Sequence, residues 1–396
     1  MQYKNYFPEN IKSALANDPP GSWMPSLPTG CIRLSAGYPA PNLVPTNQIK
    51  SAVDQMIQEE QDLPFHYLGS PRINILKHQI QHRLVQRSIQ SEEQELLITS
   101  GASQAIDLIA RTLLDQQAVV AVEAPTYMEA LEIFRNYTKQ IISIPMDEFG
   151  IQTNVLEAVL TERKRAGLTN PCLLYTIPSF HNPTGSTMTT DRRQHLLALA
   201  TKFDFLLIED DAYGELSFSE SPFPLKTYDV TDRVLYVGSL SKVVAPGMRI
   251  GWILGPKMLL SAISWFKKDL DHPFAHATMS VYIQNIEFEE RLDILRDSYR
   301  VRRDAMIQAL KQYMPKWVTW HVPNGGFFVW LHVENIDTAA LLKQALEKGV
   351  SYIPGKHFFV NPTDGLHFLR LSFSFAELEE IIAGVQKLGN LLRAIQ

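Results

Sequence analysis

Two cysteines in 396 residues, Cys31 and Cys172, are too few and too far apart for a disulfide framework, and neither stands in the CxxC pair of a zinc knuckle. Both read as core thiols. Long apolar runs are also missing. No uninterrupted stretch approaches the roughly 18 residues that suggest a membrane span, and the opening MQYKNYFPENIKSALANDPP lacks the apolar heart of a signal peptide. A cytosolic location is therefore expected. Nor is there an excess of positive charge: 37 Lys and Arg stand against 42 Asp and Glu, for a formal net charge of -5. That balance gives no electrostatic reason to expect nucleic acid. Repeats and low-complexity tracts are absent, and 45% hydrophobic with 20% charged residues excludes disordered and fibrous classes. What remains is small-molecule chemistry on a chain long enough for a large core and a smaller second one.

What is present is alternation. From about residue 95 to 275, short apolar runs alternate with helical patterns, which predicts an α/β domain around a seven-stranded, mainly parallel sheet. Strands are expected at 96–100, 118–123, 140–144, 172–176, 205–210, 234–239 and 249–254, with helices at 103–114, 127–135, 155–165 and 191–201. After about residue 285 a charged helix, 287–311, precedes the strand-like GGFFVWLHV and FLRLSFS and two helices, which predicts a smaller α+β domain. The Pro- and Gly-rich start reads as a strap over a site. The expected division is residues 1–50 for the strap and part of the small domain, 51–285 for the large domain and 286–396 for the small one.

Six segments carry chemistry. GSLSKVVAPGMRIGW starts at the end of an expected strand, where parallel sheets place their ligands. Lys242 there suits a Schiff base, which needs a desolvated neutral amine, and Ser239, Ser241 and Arg249 suit a phosphate beside it. Read alone, Lys242 would be a surface lysine. HNPTG follows another strand end and places Asn182 to donate to the oxygen of a hydroxypyridine ring, although Asn-Pro and Thr-Gly also make a plain turn. FLLIEDDAYGEL runs a buried strand into Glu209, Asp210 and Asp211. Three carboxylates could bind a divalent cation, yet no further oxygen ligands follow at regular spacing. A pyridine nitrogen stays protonated only beside a fixed anion, a role that falls to Asp210, with Tyr213 near the ring hydroxyl. TSGASQAIDLIARTL turns from strand to helix at Gly101, Ala102 and Ser103, so its free N–H groups form an anion cradle. Tyr127, in EAPTY after the next strand, can stack on an aromatic cofactor or join the core. In FLRLSFS, Arg370 interrupts an apolar strand and needs a buried anion, which an α-carboxylate would supply.

Together these segments resemble the class I and II aminotransferases of fold type I, enzymes that use pyridoxal 5'-phosphate, and the branch looks like the kynurenine and α-aminoadipate aminotransferases. The resemblance runs from about Tyr38 to Phe373. It implies that Lys242 is the Schiff-base lysine and proton shuttle, that Asp210 faces the ring nitrogen, and that Asn182 and Tyr213 meet the ring oxygen. Tyr127 would stack on the ring, while Gly101, Ala102, Ser103, Ser239 and Arg249 hold the phosphate. Arg370 would take the substrate carboxylate and Gly37 lie beside the substrate. In this family Tyr67 reaches the phosphate from the other subunit, which implies a homodimer with shared sites. The implied reaction is a ping-pong transfer of an amino group from an L-amino acid, aromatic or long-chain, to a 2-oxo acid such as 2-oxoglutarate. Arg72 departs from the pattern, because YLGSPRINIL would usually carry glycine there.

The same residues also fit other patterns. Ser239-Leu240-Ser241-Lys242 fits the S-x-x-K motif of serine acyl enzymes, but no SDN or KTG companion exists. Gly101 to Ala105 nearly fits a G-x-S-x-G elbow but lacks the second glycine. His78 with His82, and His272 with His276, have helical spacing without the glutamate of HExxH, so no metal is expected. A lyase or decarboxylase on the same scaffold, or a ligand-sensing module of the kind found behind winged helices, remains an alternative.

Overall fold

The computed structural model describes residues 3–23, 26–67, 69–268 and 272–395. Its large sheet contains β1 (Leu96–Thr99), β2 (Val119–Ala124), β3 (Gln140–Asp147), β4 (Leu173–Thr176), β5 (Leu206–Asp210), β6 (Val234–Ser239) and β7 (Gly251–Leu254). Their spatial order is β1-β7-β6-β5-β4-β2-β3, and a two-residue strand, Gly150–Ile151, adds an edge beyond β3. Only β7 and that edge strand run against the rest. β4 and β6 are buried along their whole length. Such runs are apolar without alternation because helices cover both faces of the sheet. Ala102–Leu113, Met128–Arg135 and Lys257–Phe266 pack on one face, and the larger core on the other continues into the C-terminal part.

All seven expected strands form, within a residue or two except at the longer end of β3. Gly150–Ile151 is too short for periodicity to reveal. Helix Pro273–Gln284 also escapes the sequence pattern, because His276 to Tyr282 are all buried and no polar face marks it. One expectation fails: Cys31 is buried but Cys172 is exposed. It immediately precedes β4, at the strand's amino end.

The C-terminal part holds an antiparallel sheet ordered Val318–Trp320, Phe328–Val333, Phe368–Ser372 and Ile353–Pro354, with helix Phe288–Tyr313 packed on Leu378–Ile395. Arg370 pairs across this sheet with Trp330 and Ile353. The N-terminal segment includes short helical pieces, Tyr3–Tyr6 and Glu9–Ala14, and its Ile32–Arg33 pairs in parallel with Val350–Ser351. Among the described residues no helix is long and apolar enough to cross a membrane.

The connections create the site. From β2 the chain passes to β3 on one side, then crosses to β4 on the other. Neighbouring loops therefore diverge at the carboxyl ends of β2 and β4, leaving the crevice where open α/β sheets bind ligands. Tyr127 follows β2 and Asn182 follows β4. The carboxyl ends of β1, β5 and β6 open on the same edge, as does the start of antiparallel β7.

Candidate active site

A cavity of about 260 Å³ occupies this edge, lined by Gly37, Ala102, Ser103, Tyr127, Asn182, Asp210, Tyr213, Ser239, Ser241, Lys242, Arg249 and Arg370, among others. Of the residues singled out in the sequence, Gly101 stands directly behind the wall and Tyr67 lies away from it.

At one end, β1 turns through Gly101 into helix Ala102–Leu113, whose first N–H groups have no partner inside the helix. Gly101 has a φ of 90°, and a Cβ there would stand 2.7 Å from Arg249 Nη2. Both the backbone and the close approach thus require glycine. Arg249 Nη2 donates to the Ser100 carbonyl at 3.0 Å, which ties the guanidinium to the turn before the helix. The hydroxyls of Ser239 and Ser241 lie 2.9 Å apart and complete this end. Helix dipole, guanidinium and hydroxyls together make a site for a phosphate-like anion.

β5 delivers the carboxylates, and strand alternation separates them. Glu209 accepts from the Leu225 and Lys226 amides at 2.5 and 2.8 Å. Burial pushes its carboxyl up to about 7. Asp211 accepts from Arg87 and, at 2.8 Å, from the Tyr236 hydroxyl. Only Asp210, between them, lines the cavity. Its Oδ2 accepts from the Tyr175 hydroxyl at 2.7 Å, while Oδ1 is buried without a hydrogen bond among the described residues. Burial raises the Asp210 carboxyl to about 6, the Tyr175 bond opposes that rise, and Asp211 adds to it.

Lys242 leaves β6 and points back across the cavity, where Nζ donates to the Gly37 carbonyl at 3.0 Å and stands 5.9 Å from the Tyr213 ring centroid. Loss of water around it lowers its ammonium to about 8. Glu129 and Asp210 act against that lowering, and Arg370 and Arg249 add to it. The opposite wall is Arg370, only 2% exposed. It donates to Asn182 Oδ1 at 2.8 Å and to the Ser35 carbonyl at 3.0 Å, and lies 4.2 Å from the Phe328 ring centroid. Its Nε is buried without a hydrogen-bond partner among the described residues. Burial lowers its guanidinium to about 10. Among the described residues it forms no ion pair, so the cavity offers a guanidinium that lacks an anion.

Three residues of this site were not legible in the sequence. Tyr175 reads as a core residue of β4, yet a buried tyrosine needs a hydroxyl partner, and that rule was the available signal. Glu129 lines the cavity 3.4 Å from the Ser103 hydroxyl. Phe328 supports both Gly37 and Arg370. Arg72 starts helix Arg72–Gln86 and is held by Glu59, Glu60 and Gln284, well tied outside the cavity. Tyr67 is 80% exposed.

A sequence-family model, aminotransferase class I and II, matches residues 29–385. An aromatic-amino-acid aminotransferase of Thermococcus litoralis is 33% identical over 399 residues, covering 99% of this chain and 95% of that protein. The kynurenine aminotransferase of Pyrococcus horikoshii, solved in complex with PMP, KYN as substrates and KYA as products, superposes with a TM-score of 0.90. It is 33% identical and the match covers 100% of this chain and 98% of that one. An uncharacterized HTH-type transcriptional regulator of Bacillus subtilis is 32% identical over 92% of this chain, but over 74% of its own length. The chain belongs to the class I and II aminotransferases: it is a pyridoxal-phosphate-dependent enzyme of fold type I that transfers amino groups.

Proposed function

We propose that this cavity moves an amino group from an aromatic or long-chain L-amino acid to a 2-oxo acid such as 2-oxoglutarate, with Lys242 as the covalent lysine. The observation that carries this reading is one cavity holding a lysine of lowered basicity, a buried carboxylate with an unpartnered oxygen and an arginine without an anion. These features match the polar ends of pyridoxal phosphate and its substrate. The cradle of Gly101, Ala102, Ser103, Ser239, Ser241 and Arg249 suits the phosphate, and Asp210 Oδ1 suits the ring nitrogen. Asn182, whose oxygen is committed to Arg370, presents its amide donors to the ring oxygen beside Tyr213. Tyr127 supplies a stacking face. When bound, the cofactor supplies an electron sink for charge at the substrate Cα.

The chain's own groups do the rest. Arg370 binds the substrate carboxylate through two parallel hydrogen bonds and so fixes the orientation of Cα. Gly37 keeps the space beside it open, since a Cβ there would stand 3.0 Å from Phe328 and 3.7 Å from Arg370. Lys242 Nζ would accept the proton released from the substrate Cα and hold it for return, as the general base and acid of the site. Asp210, as an anion, keeps the ring nitrogen protonated. Tyr38, edge-on to Phe375 at 4.9 Å and lining the cavity, supports a bulky donor.

The same reading includes a cytoplasmic homodimer with shared sites, in which Tyr67 meets the partner's phosphate. Its exposure supports this, as do exposed Phe65 and Phe274, stacked at 5.7 Å. A division of the chain near residues 50 and 285 is part of this reading. The test is a half-reaction screen that follows the bound cofactor's absorbance as single L-amino acids are added. Loss of the band, with its return on adding 2-oxoglutarate, is expected. Release of carbon dioxide or ammonia in its place would favour a decarboxylase or lyase.

A further inference from the structure

We propose that Tyr175 is a positioning residue of this reaction: its buried hydroxyl occupies one oxygen of Asp210, turns the other towards the ring nitrogen and keeps the shared proton on that nitrogen. The proposal rests on the reading that Asp210 meets the ring nitrogen.

β4 and β5 run in parallel with Tyr175 opposite Ile208. Asp210 lies two residues further along β5 and therefore on the same face as Ile208. A tyrosine is long enough to reach this diagonal neighbour, and its hydroxyl donates to Asp210 Oδ2 at 2.7 Å. The ring is fixed edge-on against Phe134, with centroids 5.6 Å apart, and both side chains are fully buried. Oδ1 is left buried without a hydrogen bond among the described residues, and the Ala212 backbone amide is the least of the influences on this carboxyl. The neighbouring carboxylate, Asp211, is taken up by Arg87 and Tyr236. Tyr175 is thus the side chain that decides which oxygen of Asp210 is available.

A carboxylate that accepts a hydroxyl hydrogen bond is a weaker base, so a proton shared with another base stays on the other base. Remove the hydroxyl and Oδ2 loses its hydrogen-bond donor. Asp210 then competes better for the proton by about ten- to a hundredfold, the usual worth of a hydrogen bond to a charged group. The ring nitrogen would become largely neutral and the electron sink would weaken. Substrate binding through Arg370 would be untouched.

The experiment uses holoenzyme loaded with pyridoxal phosphate labelled with ¹⁵N in the ring, at one fixed pH, and reads the nitrogen chemical shift beside kcat and KM. Tyr175→Phe is expected to move the resonance towards that of neutral pyridine and to lower kcat about tenfold with KM unchanged. Site-specific 3-fluorotyrosine at position 175, a stronger donor of nearly the same volume, is expected to move it the opposite way. The fluorinated protein decides alone if the phenylalanine variant does not fold. Asp210→Asn separates the two levels of the argument. A resonance unmoved by Asp210→Asn overturns the reading of Asp210 itself. A resonance that responds to Asp210→Asn but not to either change at Tyr175, or that moves the same way for both, overturns the positioning role. A fall in melting temperature with an unmoved resonance and kcat also overturns it, because that is what a purely structural tyrosine would show.

Discussion

Replacing Arg370 with lysine tests how the site recognises its substrate. A guanidinium carries five N–H groups, and here two are committed, one to Asn182 Oδ1 and one to the Ser35 carbonyl. The remaining donors include the buried Nε–H, which has no partner. That leaves enough to meet both oxygens of a carboxylate without breaking either internal bond. Lysine keeps the charge but offers a point donor in place of the fork. It would have to serve the same two internal oxygens as well as the substrate. Losing one charge-assisted hydrogen bond costs about 1.5–3 kcal/mol, which corresponds to a rise in KM of roughly ten- to 150-fold at about 1.4 kcal/mol per decade. Because every donor presents the same α-carboxylate, the rise should be similar for all of them. Steady-state kinetics with several L-amino acids measures it, and a cofactor titration of the apoenzyme should show nearly unchanged affinity. A KM that changes for one donor and not for others, or not at all, would remove Arg370 as the carboxylate anchor.

The two adjacent aspartates should separate cleanly. Asp210→Asn should retain the cofactor and lose most activity. Asp211→Asn should spare turnover of the folded enzyme but lower the melting temperature, since its Arg87 and Tyr236 contacts are buried and breaking such a pair costs about 3–5 kcal/mol; reversed behaviour would mean that the wrong carboxylate was chosen. On the proposed reading, attachment of added cofactor to the apoenzyme requires the neutral Lys242 amine, whose ammonium is lowered to about 8 from an ordinary value of 10.5. Its rate, followed by absorbance, should therefore rise with pH below about 8 and level off above it, whereas a rise that continues past 10 would indicate an unperturbed lysine. Mixing subunits tests the shared site, given a Tyr67 substitution that is itself severely impaired. Re-associating Lys242→Ala subunits with such Tyr67 variants should restore activity, because one site of each mixed dimer escapes both defects; no recovery would place Tyr67 in its own subunit's site or in none.

The sheet was legible because its central strands are buried on both faces and so stand out as apolar runs; β6 begins and ends where the sequence places it. Site residues at strand ends were legible for a related reason. Parallel strands end on one edge, so Asn182, Asp210 and Lys242 can be brought together from topology alone. Contacts between side chains from different strands or helices were not legible. Tyr175 meets Asp210 only through the β4–β5 register, and Glu129 reaches Ser103 across 26 residues. Arg72, conspicuous as a departure in the sequence, is explained by Glu59 and Glu60 one helix away, a pairing that spacing does not reveal. Cys172 misled because a cysteine beside an apolar run reads as buried, although at the amino end of β4 it is exposed.

The central claim is that Lys242 carries the cofactor. The most direct measurement is borohydride reduction of the holoenzyme, followed by proteolysis and mass spectrometry of the labelled peptide. The account predicts one modified lysine per chain, at Lys242, and no fixed label in Lys242→Ala. Reduction that fixes the cofactor to any other lysine, or labelling that survives in Lys242→Ala, would contradict it.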